Sequence, residues 1–515
     1  MADVNTARLC SEIIHTHFGP LTAQVVSILL IRGRLPLPQI VRYTQLKPRT
    51  VRASILVLVQ HNLLWHAKSD DETEVFEVNV DECLMRLRFG KAVFLARQLF
   101  GQAGGEIVQI VLDHGKLRLP EMLGLLRIYE HKAVAVYRGT VHKLVAGAYL
   151  KPSTTLSHVS PKDKQIKYEA EEKAKISGFP TAKELREAKQ VAEARLKREE
   201  EEAEKAGLKR KTADQTIHRG RKRKIDESDE IAVDETVYFR VNFDKFNVHI
   251  RNNLIVDAAR KRYNEGAATV LRGLLKITED SQKNVSEIRS EPMSVPSIVV
   301  HLSEEDSLAR GLILDEKRPS NATCIKEYLG MLSCGDNPTP TGKAASFVSF
   351  SSSKVQVEFD IVGRRLRRHV LESISKIVMM AGKDVRSLLT ALAADSLIST
   401  QEVPKSADRN PTRTFYLWHV DQHKAFLAIL GQVYKTLYNI SMRRRAEQEV
   451  PEVKAVLEKR ERSDVRQDES LLTRLERELI KEWEGKLQRL TALEMRVEET
   501  LYILKDLGVL GIDDD

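Results

Sequence analysis

Residues 51–81, VRASILVLVQHNLLWHAKSDDETEVFEVNVD, form the stretch that decides the fold. In its first part, apolar residues recur at helical spacing, which predicts a helix over residues 48–62. Two short apolar segments follow at residues 63–67 and 75–80, and the polar residues 68–74 separate them. Such segments predict a two-stranded hairpin. A helix that leads into a hairpin is the ending of a winged-helix domain.

The residues before this stretch supply the other helices of such a domain. Apolar residues at helical spacing predict helices over residues 7–17 and 21–32, and a shorter one over residues 37–43 after Pro36. Helices followed by a hairpin are in the order of a winged helix, which often places a helix in the major groove of DNA. The first 81 residues are therefore predicted to form one winged helix.

The second hairpin strand and the aspartate after it recur along the chain. Each copy alternates apolar and polar residues, ends in Asp and precedes a helical run, whose first turn an Asp can cap. Residues 51–65 also align without gaps on residues 385–399, and residues 144–150 repeat part of the pattern. Because self-similarity marks a repeated unit, we expect four winged helices. The copies are FEVNVD at 76–81, FRVNFD at 239–244, VQVEFD at 355–360 and YLWHVD at 416–421.

The predicted fold is mainly α with small β-wings, an α+β class of four tandem extended winged helices and a C-terminal coiled-coil hairpin. Residues 157–235 interrupt the second unit and are rich in Lys, Glu, Ala and Arg, which predicts poor order. Residues 183–205 within them have the composition of a solvated helix. Residues 101–105, GQAGG, indicate a linker turn. The predicted domains are 1–81, 82–244, 245–360, 361–425 and 426–515.

The C-terminal segment predicts a coiled coil. Residues 441–507 are rich in Arg, Glu and Leu, and apolar residues from Leu472 to Leu504, Leu475 among them, follow mostly three- and four-residue steps. The polar stretch 461–469 is the expected turn between two antiparallel helices. An ordinary amphipathic helix packed on the fourth unit is the alternative.

The sequence contains no motif of a catalytic, metal or cofactor site. The patterns G-x-x-x-x-G-K-[ST], G-x-G-x-x-G, H-E-x-x-H and G-x-S-x-G are absent. Four cysteines, none in a C-x-x-C pair, exclude a disulfide framework and disfavour structural zinc. His15 and His17 are two residues apart, so a helix directs them to different faces. We expect no catalytic residue, no metal, no cofactor and, without a long apolar run, no membrane span.

The net charge of +9 is distributed unevenly. Two basic clusters in the insertion lie a short spacer apart, which is typical of a bipartite nuclear localisation signal. The same side chains suit phosphates or an acidic partner, and a solvated loop is the plainer alternative. The clusters contain Lys209, Arg210 and Lys211, and then Arg221, Lys222, Arg223 and Lys224.

Basic residues also lie near the starts of predicted helices in the first and fourth units. Such side chains commonly hold DNA phosphates, and guanidinium groups bind them bidentately. One chain carries no readable base code, so we expect non-specific contacts to duplex DNA. Ion pairs with neighbouring protein subunits are the alternative. The candidates are Lys47, Arg49 and Arg52 in the first unit and Arg364, Arg365, Arg367, Arg368, Lys383 and Arg386 in the fourth.

Residues 9–65 resemble the opening helix-turn-helix module of a known family, the third-largest subunit of eukaryotic RNA polymerase III. The most telling segments are His17-Phe18-Gly19, Gly33-Arg34-Leu35 and Val51-Arg52. Residues 238–262 look like the family's second conserved segment. The order of four winged helices, a charged insertion in the second and a C-terminal coiled coil is also similar to the family's.

This resemblance implies a non-catalytic subunit. The family belongs to a heterotrimer on the clamp of the largest polymerase subunit, beside a smaller winged-helix subunit and an acidic-tailed subunit. The implied partners are those subunits, initiation factors, and duplex or opening promoter DNA in the nucleus. The implied role is to support promoter opening and initiation at short non-coding RNA genes, such as transfer RNA and 5S RNA genes.

Two other functions stay open on the residues alone. A winged-helix scaffold of another assembly, such as a proteasome lid or a translation factor, would have tandem helical repeats before a single winged helix. Four dispersed wings disfavour that arrangement. A free-standing transcription regulator would need one unit with a much more basic recognition helix than the others, and it would bind a specific DNA sequence.

Overall fold

A computed structural model of the chain divides into two compact units. The first comprises chiefly Cys10–Leu254 and Glu279–Asn284, and the second comprises Asp3–Leu9, Ile255–Thr278 and Val285–Asp515. The described residues are 3–68, 73–126, 131–175, 181–205, 207–210, 231–285, 287, 290, 293–302, 308, 312, 320–332, 347–348, 375–376, 378–404, 414–420, 422–467 and 471–507.

The first unit begins with a winged helix whose four helices confirm the sequence prediction. Buried apolar side chains from each helix, such as Ile14, Val26, Ile40 and Leu58, form its core. Pro48 begins the fourth helix, where its missing N–H removes no intrahelical bond. The observed ends differ from the predicted ones by only a few residues. The helices are α1 (Val4–Phe18), α2 (Pro20–Arg32), α3 (Leu37–Thr44) and α4 (Pro48–Gln60).

The predicted hairpin forms the wing of this winged helix, together with a third strand. The three strands form one antiparallel sheet in which the last strand is central. The extra strand contains two residues, too few to show a periodicity of two in the sequence. The strands are β1 (Leu35–Pro36), β2 (Leu64–Lys68) and β3 (Glu74–Val78).

The second winged helix follows, and the insertion divides its wing. Strands on either side of the insertion pair antiparallel, and Leu117 makes a further antiparallel bridge to Phe239. This bridge takes the place of β1 in the first wing. The elements are α5 (Val80–Met85), α6 (Phe89–His114), α7 (Leu119–Leu125), α8 (His131–Ala146) and β4 (Leu150–Pro152), then α9 (Pro161–Lys173), α10 (Ala182–Lys205), β5 (Leu208–Arg210) and β6 (Ile231–Val233) in the insertion, and β7 (Phe239–Val241) after it.

Among the residues that the structure describes, one helix ending recurs in three of the predicted units. Asn62, Ala148 and Ser396 adopt the left-handed backbone conformation, with φ of 58°, 58° and 61°. The N–H of the residue after each bonds back across the last turn, as in a Schellman ending. The sequence repeat is therefore a repeat of structure. These bonds run from Leu63 to the carbonyl of Leu58, from Tyr149 to that of Leu144 and from Leu397 to that of Leu392.

The linker turn predicted at residues 101–105 is confirmed in part. Two helical segments of α6 meet at a kink at Gly101, whose φ of 76° and ψ of −170° are not helical, while residues 102–105 are helical. Gly104 is buried, and a Cβ there would lie 2.5 Å from the Cβ of Phe100. Gly101 therefore interrupts the helix, and Gly104 permits close packing beside the kink.

The predicted helix cap at Asp81 is wrong. Asn79 caps α5, since its Oδ1 accepts a hydrogen bond from the N–H of Glu82 at 3.2 Å. Asp81 lies in the first turn, where its negative charge interacts favourably with the helix dipole. Asp81 and Asp244 therefore lie in the first turns of their helices, while Asp360 and Asp421 lie outside the described residues.

The described part of the insertion consists of two helices and a short strand pair, although poor order was predicted for residues 157–235. The start of α9 contacts the end of α10: Lys164 Nζ lies 2.5 Å from Glu199 Oε1, and Tyr168 also donates to Glu199. Ala188 and Ala192 of α10 are buried. The amino-acid composition gives the number of charges but not which of them pair. Ion pairs between the two helices, together with the small buried side chains of α10, order this hairpin.

The third winged-helix region lies in the second compact unit. Leu274, Ile298, Ile325 and Tyr328 belong to its core, and Tyr328 Oη donates to the carbonyl of Leu308 at 2.9 Å. Here β8 pairs with residues 347–348, which precede the predicted strand; residues 355–360 lie outside the described residues. The elements are α11 (Phe243–Arg262, shared by both units), α12 (Glu265–Glu279), β8 (Met293–Ser294), α13 (Val295–Val300), α14 (Asn321–Leu332) and β9 (Phe347–Val348).

The fourth wing and the C-terminal helical hairpin follow, both as the sequence predicted. The hairpin closes on itself: Lys459 Nζ lies 2.8 Å from Glu476 Oε2, and Arg444 pairs with Glu494. The prediction that Leu475 belongs to the apolar seam is wrong, since this residue is 73% exposed. The elements are α15 (Gly382–Ala394), β10 (Ser399–Pro404), β11 (Thr414–His419), α16 (Gln422–Glu449), α17 (Pro451–Arg460), α18 (Ser463–Gln467) and α19 (Arg474–Tyr502).

Candidate nucleic-acid and subunit interface

Helix α4 presents the predicted basic residues of the first winged helix to solvent. Lys47, Arg49 and Arg52 are exposed, while Val51 and Ile55 between and after them are buried. No acidic residue lies in the first turn. Cations are unfavourable beside the positive end of a helix dipole, so they suit this position when an anionic partner neutralises them.

The same helix also exposes apolar side chains that sequence reasoning missed. Leu56 is 70% exposed and Val57 is 40% exposed, whereas Leu58 is fully buried. The sequence did contain a signal for these exposed side chains, because the run ILVLV at residues 55–59 has more apolar residues than one buried stripe of a helix needs. The outer face of α4 is therefore basic at its start and apolar further along.

Helix α15 of the fourth unit has the same inward and outward pattern, although Asp384 lies in its first turn. Lys383 and Arg386 are exposed, and Val385 and Leu389 are buried. The Val-Arg pair that begins both helices thus has the same orientation, with Val inward and Arg outward. The structure does not test the other basic candidates. Outside the described residues are Arg364, Arg365, Arg367, Arg368, Lys211, Arg221, Lys222, Arg223 and Lys224, and for Lys209 and Arg210 only the backbone, in β5, is described.

The insertion contacts the base of the first wing. Arg34, beside β1, bridges two carboxylates: its Nη2 lies 2.7 Å from Glu77 Oε2 in the wing, and its Nη1 lies 2.9 Å from Asp163 Oδ1 in α9. The rings of His66 in β2 and His158 stack with centroids 6.2 Å apart. The base of this wing is therefore occupied within the chain, which leaves the start of α4 as the more accessible basic surface.

A second set of contacts holds the first two winged helices together. Gln60 at the end of α4 donates from Nε2 to the carbonyls of His114 and Lys116, at 3.1 and 2.8 Å. Gly115 lies between these two residues, and a Cβ there would be 2.4 Å from the carbonyl oxygen of Gln60. Only glycine permits this approach, which also needs the positive φ of 82°.

The buried cation Arg86 belongs to the same junction. Its guanidinium lies 4.4 Å from the centre of the Phe18 ring and 5.0 Å from that of Phe89, and its Nη2 lies 3.1 Å from His61 Nδ1. Burial lowers the pKa of Arg86 to about 10. Burial, with the charge of Arg86, also lowers the pKa of His61 to about 3, so this histidine is neutral. The His17-Phe18-Gly19 segment thus supplies a structural contact through Phe18.

No metal or membrane site accompanies these surfaces in the part of the chain that the structure describes. No group of three or more His, Cys, Asp or Glu side chains among these residues is arranged to hold a metal ion. None of the helices built from them is both long and apolar enough to span a bilayer.

Comparisons with known proteins agree with this architecture. A family model described as RNA polymerase III subunit RPC82 matches residues 140–402, slightly more than half of the chain. The chain is 24% identical to DNA-directed RNA polymerase III subunit RPC3 of Rattus norvegicus and of Homo sapiens, with 97% of each chain covered. It is also 24% identical to subunit rpc3 of Aspergillus niger, over 98% of this chain and 100% of that relative.

A second family model coincides with the winged helix described first. It is the RNA polymerase III subunit RPC82 helix-turn-helix domain, and it matches residues 8–68, from α1 to the end of β2. The two family models match separate parts of the chain, and the relatives are matched over nearly their whole length. The chain therefore belongs to the family of RNA polymerase III subunit RPC82, the non-catalytic polymerase subunits.

Proposed function

We propose that the chain belongs to the initiation heterotrimer of RNA polymerase III, on the clamp of the largest subunit. In this role it supports promoter opening and initiation at short non-coding RNA genes, such as transfer RNA and 5S RNA genes. Its partners are a smaller winged-helix subunit, an acidic-tailed subunit and initiation factors. The observation that carries the proposal is a repeated winged-helix ending with a basic, solvent-facing helix start, in a chain of this family.

The start of α4 provides the proposed contact to DNA. Lys47, Arg49 and Arg52 extend into solvent from one turn and lack an acidic neighbour in that turn. Phosphates are the group on DNA that such a cluster binds without reading bases. Lys383 and Arg386 provide a second contact of the same kind on α15. We expect both contacts to be weak and independent of sequence.

The other half of α4 favours a contact to protein. Leu56 and Val57 are exposed apolar side chains beside the basic turn. Protein interfaces bury apolar side chains at their centre and place charged groups at the rim. We propose that this half contacts another polymerase subunit while the basic turn faces DNA.

The decisive experiment purifies the tagged chain from nuclei and tests it in transcription. We expect the other RNA polymerase III subunits to copurify. Polymerase with Lys47, Arg49 and Arg52 replaced by Glu should assemble but initiate less on a closed duplex template, and it should transcribe a pre-opened template normally. Recovery of the free chain alone would contradict membership of the polymerase, and equal losses on both templates would contradict a role in opening.

Nuclear entry is proposed to depend on the two basic clusters of the insertion. Replacing Lys209, Arg210, Lys211, Arg221, Lys222, Arg223 and Lys224 by Gln should lower the nuclear fraction of a fluorescent fusion, since import signals are read by charge. The matched control replaces Lys183, Lys189 and Lys197, exposed on α10, by Gln. An unchanged nuclear fraction in both variants would show that the clusters are only solvated charge.

A further inference from the structure

A small cavity lies at the junction of the first two winged helices. Its volume is about 20 Å³, and its polar lining consists of His61, Asn62, Glu82, Arg86 and Arg240. A cavity needs roughly 10–15 Å³ to hold one water molecule. This cavity therefore accommodates a single particle the size of a water molecule, and it is too small for a phosphate or a nucleotide.

Three of the lining side chains have buried polar atoms without a hydrogen-bond partner. These atoms are Oδ1 of Asn62, Nε of Arg86 and Nε of Arg240. Asn62 is 6% exposed and Arg86 is 7% exposed, so bulk water does not solvate them. Most buried polar atoms in proteins have a partner, because an unsatisfied donor or acceptor retains its full desolvation penalty. Three such atoms around one cavity indicate a ligand.

The surroundings of the cavity are electropositive. Among the described residues, no carboxylate lies within ion-pair distance of Arg86 or Arg240, and Lys116 is a third cation nearby, 8% exposed. Burial and then the charges of Lys116 and Arg240 lower the pKa of His158 to about 4. Acidic groups lie nearby as well, since Glu82 lines the cavity and the charge of Asp113 acts on Arg86. Burial raises the pKa of the Glu82 carboxyl group, which favours its uncharged form.

We propose that this cavity binds one small monovalent inorganic anion of halide size. The Nε–H groups of Arg86 and Arg240 donate to it, and rotation of the Asn62 amide by half a turn presents its NH2 group as a third donor. The anion neutralises part of the buried positive charge, and it joins the end of α4 to the turn before α6 and to β7. A bound water molecule would satisfy the hydrogen bonds but not the charge.

The test measures thermal unfolding of the full chain at constant ionic strength while chloride replaces gluconate, which is too large for the cavity. A ligand that binds only the folded state raises the melting temperature, here by about 2–4 °C when chloride is well above its Kd. Arg240→Gln and Arg86→Gln should abolish this rise. Arg49→Gln, which removes an exposed arginine of the same winged helix, should retain it.

The proposal would be overturned if chloride did not raise the melting temperature of the original chain, or if it raised that of the two cavity variants by the same amount. Water would then be the occupant. Circular dichroism checks that both variants fold. If neither folds, crystals of the original chain soaked in bromide decide the matter through anomalous scattering. A bromide peak between Arg86 and Arg240 supports the proposal, and its absence overturns it.

Discussion

Gly115 shows how one residue determines the packing of two winged helices. It lies between His114 and Lys116, whose carbonyls both accept hydrogen bonds from Gln60. Its φ of 82° and its closeness to the backbone of Gln60 each exclude a side chain. The sequence shows a glycine after a helical run, which is typical of a helix ending, and it does not show the neighbour that makes the glycine necessary.

Gly115→Ala should lower the free energy of unfolding by about 1–3 kcal/mol, because it combines left-handed strain with a backbone clash. Urea unfolding measures this change. Gly139→Ala is the matched control, since it lies within α8 with open space around it, and it should raise stability by about 0.5–1 kcal/mol. Equal effects of the two substitutions would contradict the packing described here.

His158 makes the junction sensitive to pH. Its Nε2 lies 2.6 Å from Lys116 Nζ, and burial, Lys116, Arg240 and His66 lower its pKa from 6.5 to about 4. The unfolded chain therefore binds a proton between these values while the folded chain does not. Stability should fall as the pH decreases from about 6.5 to 4.

Replacing His158 by Gln removes this proton from the unfolded state. We expect the melting temperature of His158→Gln to decrease less between pH 7 and pH 5 than that of the original chain. His301→Gln, at an exposed position in the second compact unit, is the control and should follow the original chain. Parallel curves for all three proteins would exclude a role of His158.

At the scale of elements, the helix ending that three units share was partly visible in the sequence. The segments LVQHNLL at 58–64 and LVAGAYL at 144–150 have similar spacing, and both contain the left-handed residue at their fifth position. That residue is Asn62 in one and Ala148 in the other. Asn tolerates this conformation and Ala does not, so the second copy contains local strain.

Ala148→Gly should therefore raise the free energy of unfolding by about 0.5–1 kcal/mol, since relief of left-handed strain exceeds the added entropy of the unfolded chain. Denaturant titration of the full chain detects the change. The comparison variant is Ala135→Gly, at an exposed position inside α8, which should lose about 1 kcal/mol. Destabilisation by Ala148→Gly would show that the ending is not strained.

At the scale of the whole molecule, the insertion changes how the first winged helix can act. Arg34 joins the base of the wing to α9 through Asp163, and His66 stacks on His158. A free winged helix can use its wing and its helix on DNA, whereas here the chain itself contacts the base of the wing. The DNA contact that we propose therefore depends on the starts of α4 and α15.

Charge reversal at these helix starts should change the salt dependence of DNA retention by the assembled polymerase. Each phosphate contact contributes about 0.9 to the slope of log affinity against log salt concentration, so replacing Lys47, Arg49 and Arg52 by Glu should flatten the slope by up to about 3. Filter binding at several salt concentrations measures it. Arg260→Glu, which removes an arginine that pairs with Glu265 in the second unit, is the control.

The assignments from sequence were most accurate where local periodicity alone decides the structure. The helices of the first winged helix, its wing and the C-terminal hairpin were predicted because their apolar spacing is regular. The errors at Asp81 and in the order of the insertion leave no periodic signal. The cap depends on the residue at which α5 begins, and the order of the insertion depends on partners distant in sequence.

The sequence by itself determined the fold class, the repeat and the basic helix starts, since these follow from the order and spacing of residue types. Only the tertiary structure decided which surfaces stay open. It buried Arg86 and the end of α4 beside α6, brought the insertion against the first wing, and left Leu56 in solvent. The physical reason is that local patterns set which face of an element is apolar, while the packing of distant elements sets what covers it.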